Sequence, residues 1–477
     1  MEENMENRWK IINTYFKDNP DFLVKHHLNS YNKFITIDIP QILKQKNPIK
    51  ILKEQDPKTS KFKLRGELYI GGKEGNKIFY GKPIIYDDHK SHFMYPNEAR
   101  LRNMTYGFSI HVNIDVIITE LDEKEEEKIT EFEIPDIFLG RFPIMLRSNL
   151  CILNGMTSSV RFNMGECATD PGGYFIVDGA EKVIVSQEKF ADNMIYLRDN
   201  YSEIYKYSCE VRSASEDIAK PIRTTAIRIV SPTPNSSNNQ IVVSIPNVRK
   251  PMPLFIVMRA LGIISDKEII ETCILNMETR ASMIELFIPS IHDAGLVFNQ
   301  TTALKYLATF TKSKSIANVM DILANYFLPH IGELNFKTKA YYVGHMVLKL
   351  LNMTVGLEKA TNRDSYNYKR VELSGQLLQS LFREYYTLQH KHITQTLDKK
   401  YFFHIDTYRK NFISLFQENP NESFKNRITE KGFQKAFKGS WGSDVHTKRD
   451  GIVQDLSRLS YNATISQLRK CNLQMDD

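Results

Sequence analysis

The chain has 477 residues, 25% charged and 42% apolar, a globular composition that excludes a disordered protein and leaves room for two to four domains. Formal charge is +7, but residues 120–136 hold nine acids against Lys124 and Lys128, a local −7, so the rest of the chain carries +14 and suits nucleic acid or an acidic partner. Five scattered cysteines without a C-x-x-C pair exclude a four-cysteine zinc ribbon and a disulfide scaffold, and neither an 18-residue apolar run nor a secretory leader is visible, so the expectation is a soluble intracellular chain with reduced, mostly buried thiols.

In chain order, the first 40 residues predict helix, because Trp9, Ile12, Phe16, Phe22 and Phe34 fall largely at three- and four-residue steps. Gly71 to Gly75, between Glu67 to Ile70 and Ile78 to Tyr80, reads as a hairpin turn. Ile110, Val112, Ile114, Val116 and Ile118 alternate with mostly polar residues, the pattern of a half-buried strand. The acidic stretch that follows reads as a solvated loop, since it cannot bury its charges. Tyr174 to Val177 and Val183 to Val185 flank Asp178-Gly179, a second hairpin, because this dipeptide tolerates the positive φ angles of a tight turn. Strand-like Ala226 to Val230 and Ile241 to Ile245 bracket a Ser/Pro/Asn loop. Pro251 to Pro253 then opens a strongly helical half, with Leu304 to Phe327 and Leu377 to Tyr385 in helical register. The fold class is α+β and multidomain.

The sequence lacks a Walker A loop, a dinucleotide fingerprint, a zincin helix and a nucleophile elbow. Gly71 to Gly75 is not followed by Lys-Ser/Thr or a helix, so it reads as a turn rather than a phosphate loop. His26 and His27 point about 100° apart on a helix and cannot share one ion. Asp87, Asp88, His89 and His92 are ligand types in a polar turn without confirming spacing. Residues 421–470 carry ten Lys/Arg against five Asp/Glu, interleaved with Phe424, Phe433, Phe437, Trp441 and Tyr461. Cations there can neutralise phosphates and aromatic faces can stack on unpaired bases; the plainer reading is a solvated basic face over buried aromatics.

Several segments, in order, resemble the N-terminal part of the second-largest (beta-like) subunit of multisubunit DNA-directed RNA polymerase, of eukaryotic or large-DNA-virus type. Phe22 to Phe34 is similar to that family's opening helix. Tyr95 to Tyr106 (YPNEARLRNMTY), Gly140 to Ser148 (GRFPIMLRS) and Gly172 to Lys182 (GGYFIVDGAEK) with Gln187 to Lys189 resemble its protrusion. Pro251 to Glu268 is similar to its lobe. Phe327 to Ile331, Lys339 to Met346, Asn362 to Asp364, Lys369-Arg370 and Leu373 to Gly375 follow in the family's order. Gly451 to Tyr461 (GIVQDLSRLSY) and Leu468-Arg469 resemble its fork. The implied architecture is a protrusion over 1–195 and 330–395 with an inserted lobe over 196–329, then a mainly helical fork over 396–477. Protrusion and lobe would wall one side of the DNA cleft, and the fork loop, within Thr447 to Asp455, would lie near the active centre.

Carried over by position, Arg449, Gln454, Arg458 and Arg469 would lie nearest the template, hybrid or bubble edge, with Lys448 and Lys470 as further nucleic-acid contacts. Lys470 stands where Arg is more usual, and Val453 where a small polar residue is common. The family's subunit is more than twice as long, and its hybrid-binding segment, wall and Cys-rich clamp have no counterpart here, so the expectation is a fragment or split-gene product, inactive alone. The resemblance implies a nucleotidyltransferase complex in which Mg2+ is held by other parts, with no zinc in this segment and no membrane partner. Its implied partners are the largest polymerase subunit, the remaining C-terminal part of the second-largest subunit, other polymerase subunits, the DNA template and the RNA–DNA hybrid. Compact loops and divergent positions point to a virus, hence host cytoplasm, a virus factory or a virion; a cellular source would imply the nucleus. The competing readings are a stand-alone, non-catalytic nucleic-acid-binding protein derived from such a subunit, and a structural protein that kept the fold without binding DNA.

Overall fold

Alternation of apolar and polar side chains over one long strand organises the first half of the molecule. The computed structural model describes residues 2–55, 62–87, 90–121, 127–216, 222–232, 239–418, 420, 424–445 and 447–473. They form two compact units, residues 1–189 with 371–477, and residues 190–370. The fold is α+β.

The first unit begins with helices α1 (Glu2–Asp18) and α2 (Lys25–Lys33). Helix α1 follows the predicted periodicity, yet Trp9, Ile12 and Phe16 are exposed. Strands β1 (Ile49–Gln55), β2 (Phe62–Ile70), β3 (Ile78–Gly81), β4 (Ile84–Asp87), β5 (Lys90–Phe93), β6 (Gly107–Leu121) and β7 (Glu127–Pro143) follow. Phe108 and every second residue to Ile118 on β6 are fully buried, as the alternation predicts. Antiparallel β7 covers one edge of β6. On the other edge β2 pairs with Ile114 to Glu120 and β3 with Ser109 to Val112.

Two expectations change here. Gly71 to Gly75 does not close a hairpin: β2 and β3 run end to end along the same edge of β6, and the glycines are a break between them. Asn113 bridges that break, accepting from the Gly71 amide (2.9 Å) and donating to the Lys77 carbonyl (3.1 Å). The acidic stretch is not wholly a loop either. Residues 127–136 belong to β7, and residues 122–126 lie outside the described ones. Period-two alternation sets Ile134 inward and Glu131 and Glu133 outward, where Lys73 (3.3 Å) and Lys77 (2.9 Å) pair with them.

Strands β8 (Phe175–Val177) and β9 (Ala180–Ile184) form the second predicted hairpin. Asp178 and Gly179 between them have φ of 49° and 81°, the two positive values of a type I′ turn. Strand β10 (Ser186–Phe190) ends this stretch.

In the second unit, β11 (Ile195–Asp199), β12 (Tyr205–Ser213), β13 (Arg223–Val230), β14 (Ile241–Ser244) and β15 (Met252–Pro253) form an antiparallel meander. Its apolar face joins one core with α3 (Leu254–Ala260), α4 (Asp266–Ile274) and α5 (Phe336–Val355). The predicted strands around 231–239 are present; residues 233–238 of the loop lie outside the described ones. Helix α5 buries Lys339 completely, and its ammonium donates to the Leu323 (2.7 Å) and Ala324 (2.9 Å) carbonyls.

Back in the first unit, α6 (Ser374–Phe403) and α7 (Ile428–Phe437) pack into the core of β6 through Phe382 and Phe433, whose rings meet Phe142. Helix α6 crosses α2 at Gly375, where a Cβ would lie 2.0 Å from the Ser30 carbonyl oxygen. Cys151, Cys209 and Cys273 are buried, Cys167 and Cys471 exposed, and all five are free thiols. Among the described residues no helix is long and apolar enough to cross a membrane.

Candidate nucleic-acid interface

The segment after α7 is irregular, and three anchors position it. The first is α6. Glu384 accepts from the Ser443 amide (2.9 Å) and the Thr447 hydroxyl (2.6 Å), and Tyr385 donates to the Gly442 carbonyl (3.1 Å). These bonds hold residues 442–445 and 447–448 against α6, and the Arg449 amide donates to the Trp441 carbonyl (3.2 Å). The second anchor is the β8–β9 hairpin. Strand β16 (Val453–Asp455) pairs antiparallel with β9, setting Gln454 opposite Val183, and Lys182 meets Asp455 at 2.5 Å. The third is α2. Helix α8 (Tyr461–Leu468), capped by the Ser460 hydroxyl on the Ala463 amide (3.1 Å), ends at Leu468, whose carbonyl meets His27 Nε2 at 2.7 Å. Strand β17 (Cys471–Asn472) then lies parallel to β10.

A carbonyl oxygen only accepts, so His27 carries its proton on Nε2, and Nδ1 accepts from the Ser374 hydroxyl at 3.3 Å. The ring is buried, and desolvation lowers its pKa to about 4, with His26 nearby adding to the fall against the Leu468 bond. Both ring nitrogens of His27 are thus engaged within the protein.

The six predicted contact residues fall into different environments. Lys448 and Lys470 are exposed, with no acidic partner among the described residues. Arg449 is half-exposed and reaches Glu372 at 3.1 Å, which Lys189 also approaches at 3.5 Å. Gln454 is turned onto its own loop, donating to the Gly451 carbonyl (3.0 Å), which also accepts from Asn472 (3.2 Å). Arg469 donates to the Leu23 carbonyl (3.0 Å), and so ties the C-terminal segment to the residues before α2.

Arg458 is clamped. Its guanidinium bonds Glu181 through Nε (2.7 Å) and Nη2 (2.9 Å), bonds Asp170 at 2.8 Å, and stacks over the Tyr174 ring at 5.0 Å. Behind it Arg100 binds Glu166 (2.9 Å), Glu181 (2.8 Å) and the Tyr174 hydroxyl (2.7 Å). Two guanidiniums thus share three carboxylates. Burial alone would push the Glu181 carboxyl up, but its bond and charge pairing with Arg458, backed by Arg100, hold it below the usual range. Sequence spacing carried no signal for this network, since Arg458 and Glu181 lie 277 residues apart.

Among the described residues one group has metal-ligand chemistry: Asp87, His92 and Glu98. Asp88 and His89 lie outside the described residues. Arg102 binds both carboxylates (2.7 Å and 3.4 Å), and His92 meets Glu98 at 3.1 Å, so the charge a cation would supply is already present. The group does not fit a catalytic metal.

The arrangement is an exposed basic loop and tail, carrying Lys448, Arg449 and Lys470, on a rigid internal frame. Exposed cations of this kind can neutralise phosphates. The family model described as RNA polymerase beta subunit matches residues 22–412. The chain is 32% identical to DNA-directed RNA polymerase II subunit RPB2 of Encephalitozoon cuniculi over 98% of its length and 40% of the relative's. It is 32% identical to DNA-directed RNA polymerase II subunit 2 of Arabidopsis thaliana, covering 99% of this chain and 40% of that one. With DNA-directed RNA polymerase subunit Rpo2 of Saccharolobus solfataricus the identity is 29% over 98% of this chain and 38% of the relative. The chain therefore spans about 40% of the length of these curated relatives. On that match this chain belongs to the RNA polymerase beta subunit family, and corresponds to an N-terminal part of the second-largest subunit.

Proposed function

We propose that the chain works as the protrusion, lobe and fork of a DNA-directed RNA polymerase, walling one side of the DNA cleft and holding the edge of the melted bubble. The observation that carries this reading is the family match together with a basic fork loop built on three anchors. We assign the lobe to the compact unit 190–370, and the protrusion and fork to the remainder. Lys448, Arg449 and Lys470 meet backbone phosphates, without base readout. Arg458 acts as a positioning residue: its cationic groups are spent on Asp170 and Glu181, so it sets the path of residues 453–457. Gln454 and Arg469 serve the same frame.

The partners are the largest subunit, a polypeptide carrying the remaining part of the second-largest subunit, other polymerase subunits, the DNA template and the RNA–DNA hybrid. The catalytic Mg2+ ions belong to those other polypeptides, and this segment alone is inactive. The RNA polymerase II relatives named above come from eukaryotes, which supports a nuclear location, and none of the three named relatives lends anything to a viral source.

Affinity purification of this chain from its native source tests the proposal. The eluate should incorporate nucleoside triphosphates on a DNA template, dependent on Mg2+, and contain a largest subunit, while the recombinant chain alone incorporates none. An eluate free of polymerase polypeptides that still binds bubble DNA with steep salt dependence would favour the stand-alone nucleic-acid-binding reading.

A further inference from the structure

A cleft of about 600 Å3 opens in the first unit between the β4–β5 hairpin, the outer face of β6 and helix α7. Its floor follows from the alternation of β6: with Phe108 and Ile110 turned inward, Gly107, Ser109 and His111 face outward. Gly107 and Ser109 leave room above the floor. A β-bulge in β7, where Gly140 pairs with Ile110 but Phe138 with His111, re-aims Phe138 and Arg141 toward this face. Gly140 (φ +150°) lets α7 approach, since a Cβ there would sit 2.9 Å from Glu430 Cβ.

The charges do not balance. Asp178 pairs with Lys438 at 3.1 Å and Glu430 with Arg427 at 3.7 Å, so both acids are neutralised. Lys82 and Arg141 line the same cleft, are exposed, and have no carboxylate partner among the described residues. Gly81, Ser109 and Arg141 are in register across three strands whose outer two are about 10 Å apart, so Arg141 and Lys82, the residue after Gly81, stand on either side of the floor. Between them lie half-buried Ile84, Met104 and Phe138. The volume is that of a small-molecule site, and the thioether and ring edges suit a flat apolar body.

We propose that this cleft is a binding site for a small aromatic carboxylate, its ring against Met104 and Ile84, since Arg427 already lies 4.4 Å from the centre of the Phe138 ring, and its carboxylate held by the planar guanidinium of Arg141 with Lys82 opposite. The site does not rest on the polymerase reading, because it uses none of the expected nucleic-acid contacts Lys448, Arg449, Gln454, Arg458, Arg469 and Lys470.

The test is 19F NMR titration of the 477-residue chain with 6-fluoro-2-naphthoate, and with its neutral amide. The carboxylate should bind saturably with Kd of about 1 mM or tighter, and the amide at least tenfold more weakly. Arg141→Gln with Lys82→Gln should cost the carboxylate at least tenfold while leaving the amide unchanged. Gln434→Trp, which fills the cleft from an exposed helical position, should abolish binding of both. All three positions are exposed, and an unchanged melting curve checks that the variants fold. Absence of a saturable shift, equal affinity for acid and amide, or carboxylate affinity unchanged in either variant overturns the proposal.

Discussion

Arg449 and Arg458 stand nine positions apart in a basic stretch and look alike on charge count. The structure divides their work: one is half-exposed against a single carboxylate, the other is stacked on Tyr174 between Asp170 and Glu181. Arg458→Ala should therefore destabilise the first unit by about 1–2 kcal/mol, between the limits for exposed and buried ion pairs. It should also speed hydrogen exchange at the Leu456 amide, which donates to the Glu181 carbonyl. Arg458→Lys should recover only part, because an ammonium cannot bridge both carboxylates in the guanidinium's planar geometry. Exchange at Leu456 unaltered in both variants would show that Arg458 does not position the strand. His27 gives a pH signature. Its folded pKa is depressed to about 4 from an ordinary 6.5, so the unfolded chain takes up the proton first as pH falls. Its contribution is complete above about pH 6.5 and is lost toward pH 4, by up to about 3 kcal/mol. Denaturant titrations of wild type and His27→Gln should converge over that window; parallel curves would contradict the assignment. The clamp was beyond reach of sequence reading because its residues are close only after folding. The bonds of His27 were hidden for the same reason, since Ser374 and Leu468 become its neighbours only on folding.

At the scale of elements, what local period could determine was legible, and what depended on neighbours was not. The inward face of β6 follows from alternation alone, and the β8–β9 turn from Asp178-Gly179. A glycine run between two strands, such as Gly71 to Gly75, looks the same in sequence whether the strands pair with each other or share an edge of a third. In the acidic stretch the net charge suggests a loop, whereas alternation turns Glu131 and Glu133 outward toward Lys73 and Lys77. The crossing of α2 and α6 yields a direct test. Gly375→Ala places a methyl 2.0 Å from the Ser30 carbonyl oxygen and should cost the upper end of about 1–3 kcal/mol. Gly155→Ala, at φ +75° with open space around it, should cost only about 1 kcal/mol, for backbone strain. Equal shifts in the melting temperature of the first unit would mean that the crossing can relax.

For the molecule as a whole, family membership was readable from the order of its motifs, each modest alone. An inserted segment was expected from the same resemblance, over 196–329; the structure supplies the bounds of the compact unit, 190–370. The central claim is that these units line a groove for a melted duplex whose chemistry other polypeptides perform, with Lys448, Arg449 and Lys470 on the nucleic-acid side. The most direct measurement is zero-length photocrosslinking in the purified native complex, on bubble DNA carrying 4-thiothymidine in the template strand at the downstream edge, with the crosslinked peptides mapped by mass spectrometry. The account predicts crosslinks within residues 447–470 of this chain. A transcribing complex whose template crosslinks never fall in that segment would contradict it.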